Sequence, residues 1–298
     1  MKGIVLAGGA GTRLYPNTLV LSKQLLPVYD KPMIYYPLSA LLLAGITEVL
    51  IIGSERDVRL YRDLLGDGER WGVTFEFAVQ EQPKGIAEAL IIGRSFSAGE
   101  RVALVLGDNI FYGDGLGQLL QKATKNEGGA TIFGYWVRDP SAYGVVDIDE
   151  DGLPISIVEK PVAPKSSYAV TGLYFYDADA ADIAESMTPS GRGELEITDV
   201  NRVYLEQGRL SLELLGRGYA WFDCGTHDNL LDAGDFVRTV EKRQGLKIAC
   251  IEEIVYRKGL IDAAQMTKLA GDLSKSDYGA YLQDVVESRG PHGVGNLR

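Results

Sequence analysis

Along the first half of the chain, short apolar runs rich in β-branched residues alternate with stretches of helical period. The runs cover 3–7, 48–52, 73–79, 102–106 and 130–136, and the helical spacing lies at 32–44, 58–65 and 86–96. Runs that are apolar at consecutive positions are strands covered on both faces, and strands that alternate with helices form a mostly parallel α/β sheet. After Gly144 the spacing tightens. Strands are predicted at 145–148, 154–158 and 169–176, with Asp149-Glu150-Asp151-Gly152 as a hairpin turn. Helical period returns at 178–187 and 194–207, followed by apolar runs at 210–215 and 219–222. From Thr226 onward helices dominate, at 229–243, 262–273 and 277–288, as a small C-terminal helical appendage. The segment 289–293 has no apolar period and is expected to fray.

The 298 residues, 46% of them apolar, suffice for one large domain or two modest ones. No apolar run approaches the roughly 20 residues that span a bilayer, and the N-terminus lacks the parts of a signal peptide. A cytoplasmic protein with no membrane association is expected. The net charge of −11 opposes nonspecific nucleic-acid binding, so no nucleic-acid partner is expected. With only Cys224 and Cys250, neither a disulfide framework nor a zinc site is expected. With only His227 and His292, a Ser-His-Asp relay is disfavoured as well. Any chemistry must rest on carboxylates, Lys, Arg and a hard metal ion. There is no internal repeat and no hexapeptide β-helix array.

The first strand runs into Leu6-Ala7-Gly8-Gly9-Ala10-Gly11-Thr12-Arg13. Glycines there let the backbone approach a phosphate and offer its N–H groups. A P-loop would need Gly-Lys-Ser/Thr, but Gly11 is followed by Thr12-Arg13. A dinucleotide fingerprint would need glycine at the place of Leu14. A bare strand-to-helix turn is the plain alternative; Arg13 weighs against it, because a guanidinium holds phosphate oxygens bidentately.

The segment from Leu6 to Pro16, followed by Ser22-Lys23-Gln24-Leu25-Leu26-Pro27-Val28, resembles the signature of sugar-nucleotide pyrophosphorylases. Chain length and the run Tyr29-Asp30-Lys31-Pro32-Met33-Ile34-Tyr35-Tyr36-Pro37-Leu38 are most similar to the glucose-1-phosphate thymidylyltransferases among them. The resemblance reaches Arg243 and continues more loosely to the end. It implies a Rossmann-like, three-layer nucleotidyltransferase fold with a mixed, mostly parallel central sheet. Residues 1–225 would be the core, with 1–110 for the nucleotide and 111–225 for the sugar phosphate. Residues 226–290 would be an oligomerisation and regulatory region, and 291–298 a flexible tail.

The same resemblance implies transfer of a nucleotidyl group from dTTP to glucose 1-phosphate, giving dTDP-glucose and pyrophosphate as the first step towards dTDP-rhamnose or another deoxysugar. Gly8, Gly9, Gly11, Thr12, Arg13, Gln24, Gln80 and Gly85 would bind the nucleotide. Asn109, Tyr143, Gly144, Glu159, Lys160 and Val170 would bind the sugar phosphate. Asp108 and Asp223 would hold Mg²⁺, and Arg13, Lys23 and Lys160 would supply catalytic charge. Taken singly, these aspartates are ordinary turn or cap residues and these lysines ordinary solvated ones. Magnesium suits the pair, since it takes one or two carboxylates plus phosphate oxygens and water. Cys224 stands where the family pattern carries Thr. The resemblance further implies a homotetramer with a feedback site for dTDP-rhamnose near Tyr112, Gly113, Arg217, Glu253 and Arg257. Glu253 and Arg257 are four apart and are equally explained as a helix ion pair.

Three other readings compete. A uridylyltransferase differs by the preferred base. A non-catalytic nucleotide-sugar sensor would be expected to have lost a lysine or a carboxylate, and none is lost here. A nicotinamide dehydrogenase is opposed by Leu14 and by the absence of an acidic residue at a strand end near Tyr29.

Overall fold

A computed structural model describes residues 1–287. The expected helix end at 288 and the expected flexible tail lie outside the described residues. The strands, in chain order, are β1 (Lys2–Leu6), β2 (Pro27–Val28), β3 (Lys31–Pro32), β4 (Glu48–Gly53), β5 (Thr74–Val79), β6 (Val102–Leu106) and β7 (Asn109–Gly113). They continue with β8 (Ala130–Trp136), β9 (Gly144–Ile148), β10 (Pro154–Glu159), β11 (Tyr168–Tyr176), β12 (Leu210–Leu215) and β13 (Tyr219–Asp223). Among the described residues, nine of these form one sheet in the order β10-β9-β11-β6-β1-β4-β5, with β8 joined to β11 and β12 to β8. β6, β1, β4 and β5 run parallel. β11 is antiparallel to β6, β8 and β9, while β12 is parallel to β8. β2 pairs with β3, and β7 with β13, as separate ribbons.

The period of two along each inner strand feeds two cores. Ile4, Leu50, Ile52, Leu104 and Ile132 pack against Ala89, Leu90, Ala184, Val200 and Tyr204 on one face. These belong to the helices Glu88–Ile92, Ala180–Ser186 and Ile197–Glu206. Val5, Val49, Ile51, Val105 and Phe133 enter the other core, with Leu38 and Leu41 of helix Tyr35–Leu43 and Ile251, Ile254 and Val255 of helix Ile251–Arg257. Burial on both faces is the reason these strands read as continuous apolar runs. The fold is therefore α/β with helix, sheet and helix layers.

Several elements differ from the sequence reading. The helix expected from 32 begins at Tyr35, because Lys31 and Pro32 pair with β2. The helix expected over 86–96 breaks at Gly93, where a Cβ would lie 2.5 Å from Ile4 Cδ1. Helix 194–207 starts only at Ile197. Leu195 is held in a bridge, its N–H donating to Lys84 O at 2.6 Å while its carbonyl accepts from Ala87 N at 3.1 Å. Strand β7 and the helices Leu116–Ala123 and Ile251–Arg257 were not anticipated. Among the described residues, no helix is long and apolar enough to cross a membrane.

The path of the chain positions the site. It leaves β1 towards β4 and β5 on one side, then returns to β6 on the other. The carboxyl ends of β1 and β6 thus flank a switch point, where open α/β sheets leave a crevice. Gly107 N donates to Leu6 O at 2.9 Å, so the glycine loop and Asp108 leave the sheet side by side.

Candidate active site

The loop after β1 is shaped by its glycines. Gly11 adopts φ 59° and caps the short turn Thr12–Leu14, while Thr18 Oγ1 closes the loop on Gly11 O at 2.7 Å. Leu14 is fully buried and anchors the turn, which leaves the preceding Arg13 facing the crevice. The guanidinium passes over Gly225, where a Cβ would lie 2.6 Å from Arg13 Nη2. The next turn, Lys23–Leu25, is capped by Ser22. Gln24 is buried there. Its Nε2 reaches Gly8 O at 3.4 Å, and its Oε1 accepts from Ser22 Oγ and, at 3.3 Å, from Tyr61 OH. Tyr61 OH also donates to Ala7 O at 2.9 Å, so Gln24 and Tyr61 together brace the loop.

Two adjoining cavities open from this crevice. The first, of about 300 Å³, is lined by Gly8, Gly9, Arg13, Lys23, Gln24, Gln80 and Gly85 among others. The second, of about 240 Å³, is lined by Asn109, Tyr143, Gly144, Glu159, Lys160 and Val170, with Asp223. Arg13, Ile86, Leu106 and Asp108 belong to both and mark the junction. The residues expected for a nucleotide and those expected for a sugar phosphate therefore converge in two separate, connected lobes. Gly11 and Thr12 line neither; Gly11 shapes the turn and Thr12 is exposed.

Charge is concentrated at the junction. Lys23 Nζ donates to Asp108 Oδ2. Burial pulls the ammonium down, but Asp108 and then Asp223 outweigh it, and the value rises above that of an ordinary lysine. Burial likewise pushes Asp108 up, and Lys23 together with the Asn109 amide brings it below the usual carboxylate range. Asp223 behaves oppositely. Burial and the neighbouring Asp108 push it up to about 6, against the pull of Lys23 and Arg13. Two neighbouring carboxylates, Asp108 buried and Asp223 half-buried, with hard oxygen donors lining the cavity, fit a magnesium ion. Among the described residues there is no group of three or more His, Cys, Asp or Glu that could hold a metal, so softer and more demanding sites are not offered.

Asn109 is anchored at the base of the second lobe. Its Oδ1 accepts from Trp221 Nε1 at 2.7 Å and Gly172 N at 3.0 Å, and its Nδ2 donates to Asp108 Oδ1 at 3.2 Å. Tyr143 packs edge-on against Trp221, with ring centroids 5.1 Å apart. Glu159 accepts from Thr198 Oγ1 at 2.6 Å and Arg192 Nη2 at 3.3 Å. Lys160 follows with φ 42°, a left-handed conformation that is costly for a lysine and recurs at functional sites.

The family model described as nucleotidyl transferase matches residues 2–240. The chain belongs to the nucleotidyl transferase family. It is 57% identical over 291 residues to a glucose-1-phosphate thymidylyltransferase of Xanthomonas campestris pv. campestris (strain B100), covering 98% of this chain and 99% of the relative. It is 56% identical over 287 residues to that of Mycobacterium tuberculosis (strain CDC 1551 / Oshkosh), covering 96% and 99%. Among solved structures, a putative glucose-1-phosphate thymidylyltransferase from Bacillus anthracis in complex with a sucrose superposes with a TM-score of 0.74 at 42% identity, covering 80% of this chain and 95% of that one. A UDP-glucose pyrophosphorylase complexed with UDP-glucose gives 0.71 at 25% identity, covering 80% and 98%.

In this nucleotidyl transferase family member, Tyr61, Arg192, Thr198 and Trp221 carry no sequence signal because they bond to partners 33–112 residues away, and Glu88, which meets Gln80 across a turn, carries none either. A further cavity of about 440 Å³ lies away from the crevice. It is lined by Tyr112, Gly113, Lys247, Glu253 and Arg257, among others. Arg217 is not among its lining residues; it is exposed in the turn between β12 and β13. Cys224 is fully buried, packed with Val28, Met33, Tyr36 and Ile110, and its N–H donates to Asp108 O at 2.9 Å. Its place is thus in the packing behind the aspartates.

Proposed function

We propose that the chain transfers a thymidylyl group from dTTP to glucose 1-phosphate, giving dTDP-glucose and pyrophosphate. The observation that carries this reading is the junction of the two lobes at Arg13 and Asp108, where an α-phosphate in one lobe and a sugar phosphate in the other would meet the same two charged side chains. A phosphate monoester has its second pKa near 6 and is mostly dianionic at pH 7, so it needs no general base. One of its oxygens attacks the α-phosphorus in line; the bond to the β-phosphate breaks and pyrophosphate leaves with that electron pair. The chain's residues then have to position the reactants and neutralise charge.

In this reading Arg13 and the N–H groups of the glycine loop hold the triphosphate, Lys23 faces the α-phosphoryl group and Lys160 the sugar phosphate. Asp108 and Asp223 would hold Mg²⁺, which when bound stabilises negative charge on the phosphoryl oxygens. Gln80 and Gly85 meet the base, and Glu159, held by Thr198 and Arg192, meets sugar hydroxyls. UTP should also be used, because one methyl group in a pocket is worth only ~1–3 kcal/mol.

The cavity lined by Tyr112, Gly113, Glu253 and Arg257 is the reading's regulatory site, taking a downstream dTDP-sugar such as dTDP-rhamnose. The assembly would be a homotetramer, which sedimentation tests. The activity is tested by pyrophosphate release over a grid of triphosphates and sugar 1-phosphates, with and without Mg²⁺. Release should be greatest with dTTP, glucose 1-phosphate and metal together. Binding of nucleotide sugars without turnover would reject the reading in favour of a sensor.

A further inference from the structure

The Gln80 side chain sits in the wall of the first lobe with its two ends in different surroundings. Its Nε2 donates to Glu88 Oε2 at 2.7 Å and lies 3.5 Å from the carbonyl oxygen of Gly85. Both partners are acceptors with no proton to give: a carboxylate and a backbone carbonyl. Rotating the amide by half a turn would set Oε1 against both, so chemistry settles an orientation that is otherwise a matter of assignment. Oε1 is therefore turned the other way, against Gly8, where a Cβ would lie 2.6 Å from it. Glu88 is itself fixed, in the first turn of its helix, with Lys84 N donating to the same Oε2 at 3.3 Å.

We propose that Glu88 is a positioning residue for base specificity, holding the Gln80 amide so that only its acceptor oxygen faces the base. This rests on the reading of the first lobe as the nucleotide site. An acceptor there matches the N3–H of thymine or uracil. It opposes cytosine, whose N3 is itself an acceptor, and an unpaired buried acceptor is costly. The charge on Glu88 is not what matters; its inability to donate is. An amide at this position either accepts from Nε2 or donates to Oε1, and the second arrangement flips Gln80 and presents its NH₂ group to the base.

The test is the affinity of the full chain for dTTP and dCTP by titration calorimetry, together with kcat/KM for each with glucose 1-phosphate. Wild type should favour dTTP by about a hundredfold or more. Glu88→Gln should narrow that preference by roughly tenfold, weakening dTTP while strengthening dCTP, with KM for the sugar phosphate moving less than about threefold. In a Gln80→Leu background the same substitution should change nothing further, because the effect passes through Gln80. An unchanged preference in Glu88→Gln, equal losses for both nucleotides, or additivity with Gln80→Leu would overturn the proposal. If wild type favours dTTP and the variant favours it to the same degree, only the role of Glu88 fails. If wild type binds neither nucleotide, the reading of the lobe fails and this proposal with it.

Discussion

Lys23 and Asp108, 85 residues apart in the chain, meet as an ion pair where the two lobes of the crevice join. The pair exists because β1 and β6 are neighbours in the sheet, so that the segments following them emerge together. Neither group is positioned for fold stability alone, since burying two charges costs nearly what their attraction returns.

Removing the cation should separate binding from turnover. Lys23→Ala is expected to fold and to lose roughly a hundredfold or more in kcat, the cost of deleting one preorganised electrostatic donor. Steady-state kinetics with dTTP and glucose 1-phosphate checks this; a rate near wild type would remove Lys23 from the transition state.

The two aspartates should behave as one metal site. Mg²⁺ is expected to raise the melting temperature of the wild-type chain and to leave Asp108→Asn and Asp223→Asn unmoved. Differential scanning fluorimetry against Mg²⁺ concentration reads it directly. A retained Mg²⁺ shift in either variant would place the ion elsewhere.

Asp177 links the sheet to the turn before β8. It accepts from Gly129 N and Tyr204 OH, each at 2.6 Å, and from Arg209 Nη2. Burial pushes its carboxyl up, but these donors bring it below the usual range. A carboxyl lowered in the folded state contributes stability that is present above its unfolded value of about 3.9 and lost as pH falls through the folded one. Asp177→Asn should therefore cost about 1–3 kcal/mol at neutral pH, and the difference from wild type should shrink below about pH 4. Urea unfolding at several pH values measures it; a constant difference would assign the loss to packing.

The cavity beside Tyr112 carries the regulatory expectation. Arg257 Nε donates to Glu253 Oε1 at 2.7 Å within it, so the helix pair and the cavity lining coexist. Arg257→Ala should relieve inhibition by dTDP-rhamnose about fivefold or more while leaving KM for dTTP unchanged. Equal inhibition constants for variant and wild type would detach Arg257 from the feedback site.

The sequence alone determined whatever is local. The continuous apolar runs at 3–7, 48–52 and 102–106, the capping serine at Ser54 and threonine at Thr226, and the loop from Gly8 to Arg13 each depend on neighbours within a turn or a strand. The family signature then implied which residues belong to the site. What the tertiary structure decided is how those residues are held and which ones line each cavity. Asn109 is fixed by Trp221 across 112 residues, Gln24 by Tyr61 across 37, and Leu195 is kept out of its helix by Lys84 and Ala87. Gly11 and Thr12 fell outside both lobes, and Arg217 outside the far cavity, because the path of the backbone through a turn decides which of its residues reach a cavity wall. Gln80 is the sharpest case: its letter announces both a donor and an acceptor, and Glu88 and the Gly85 carbonyl, brought beside it by the turn after β5, engage the donor and leave the acceptor turned towards Gly8. Hydrogen-bond partners separated along the chain have no local signal; they follow from strand order, and strand order is decided by the burial of the whole sheet at once.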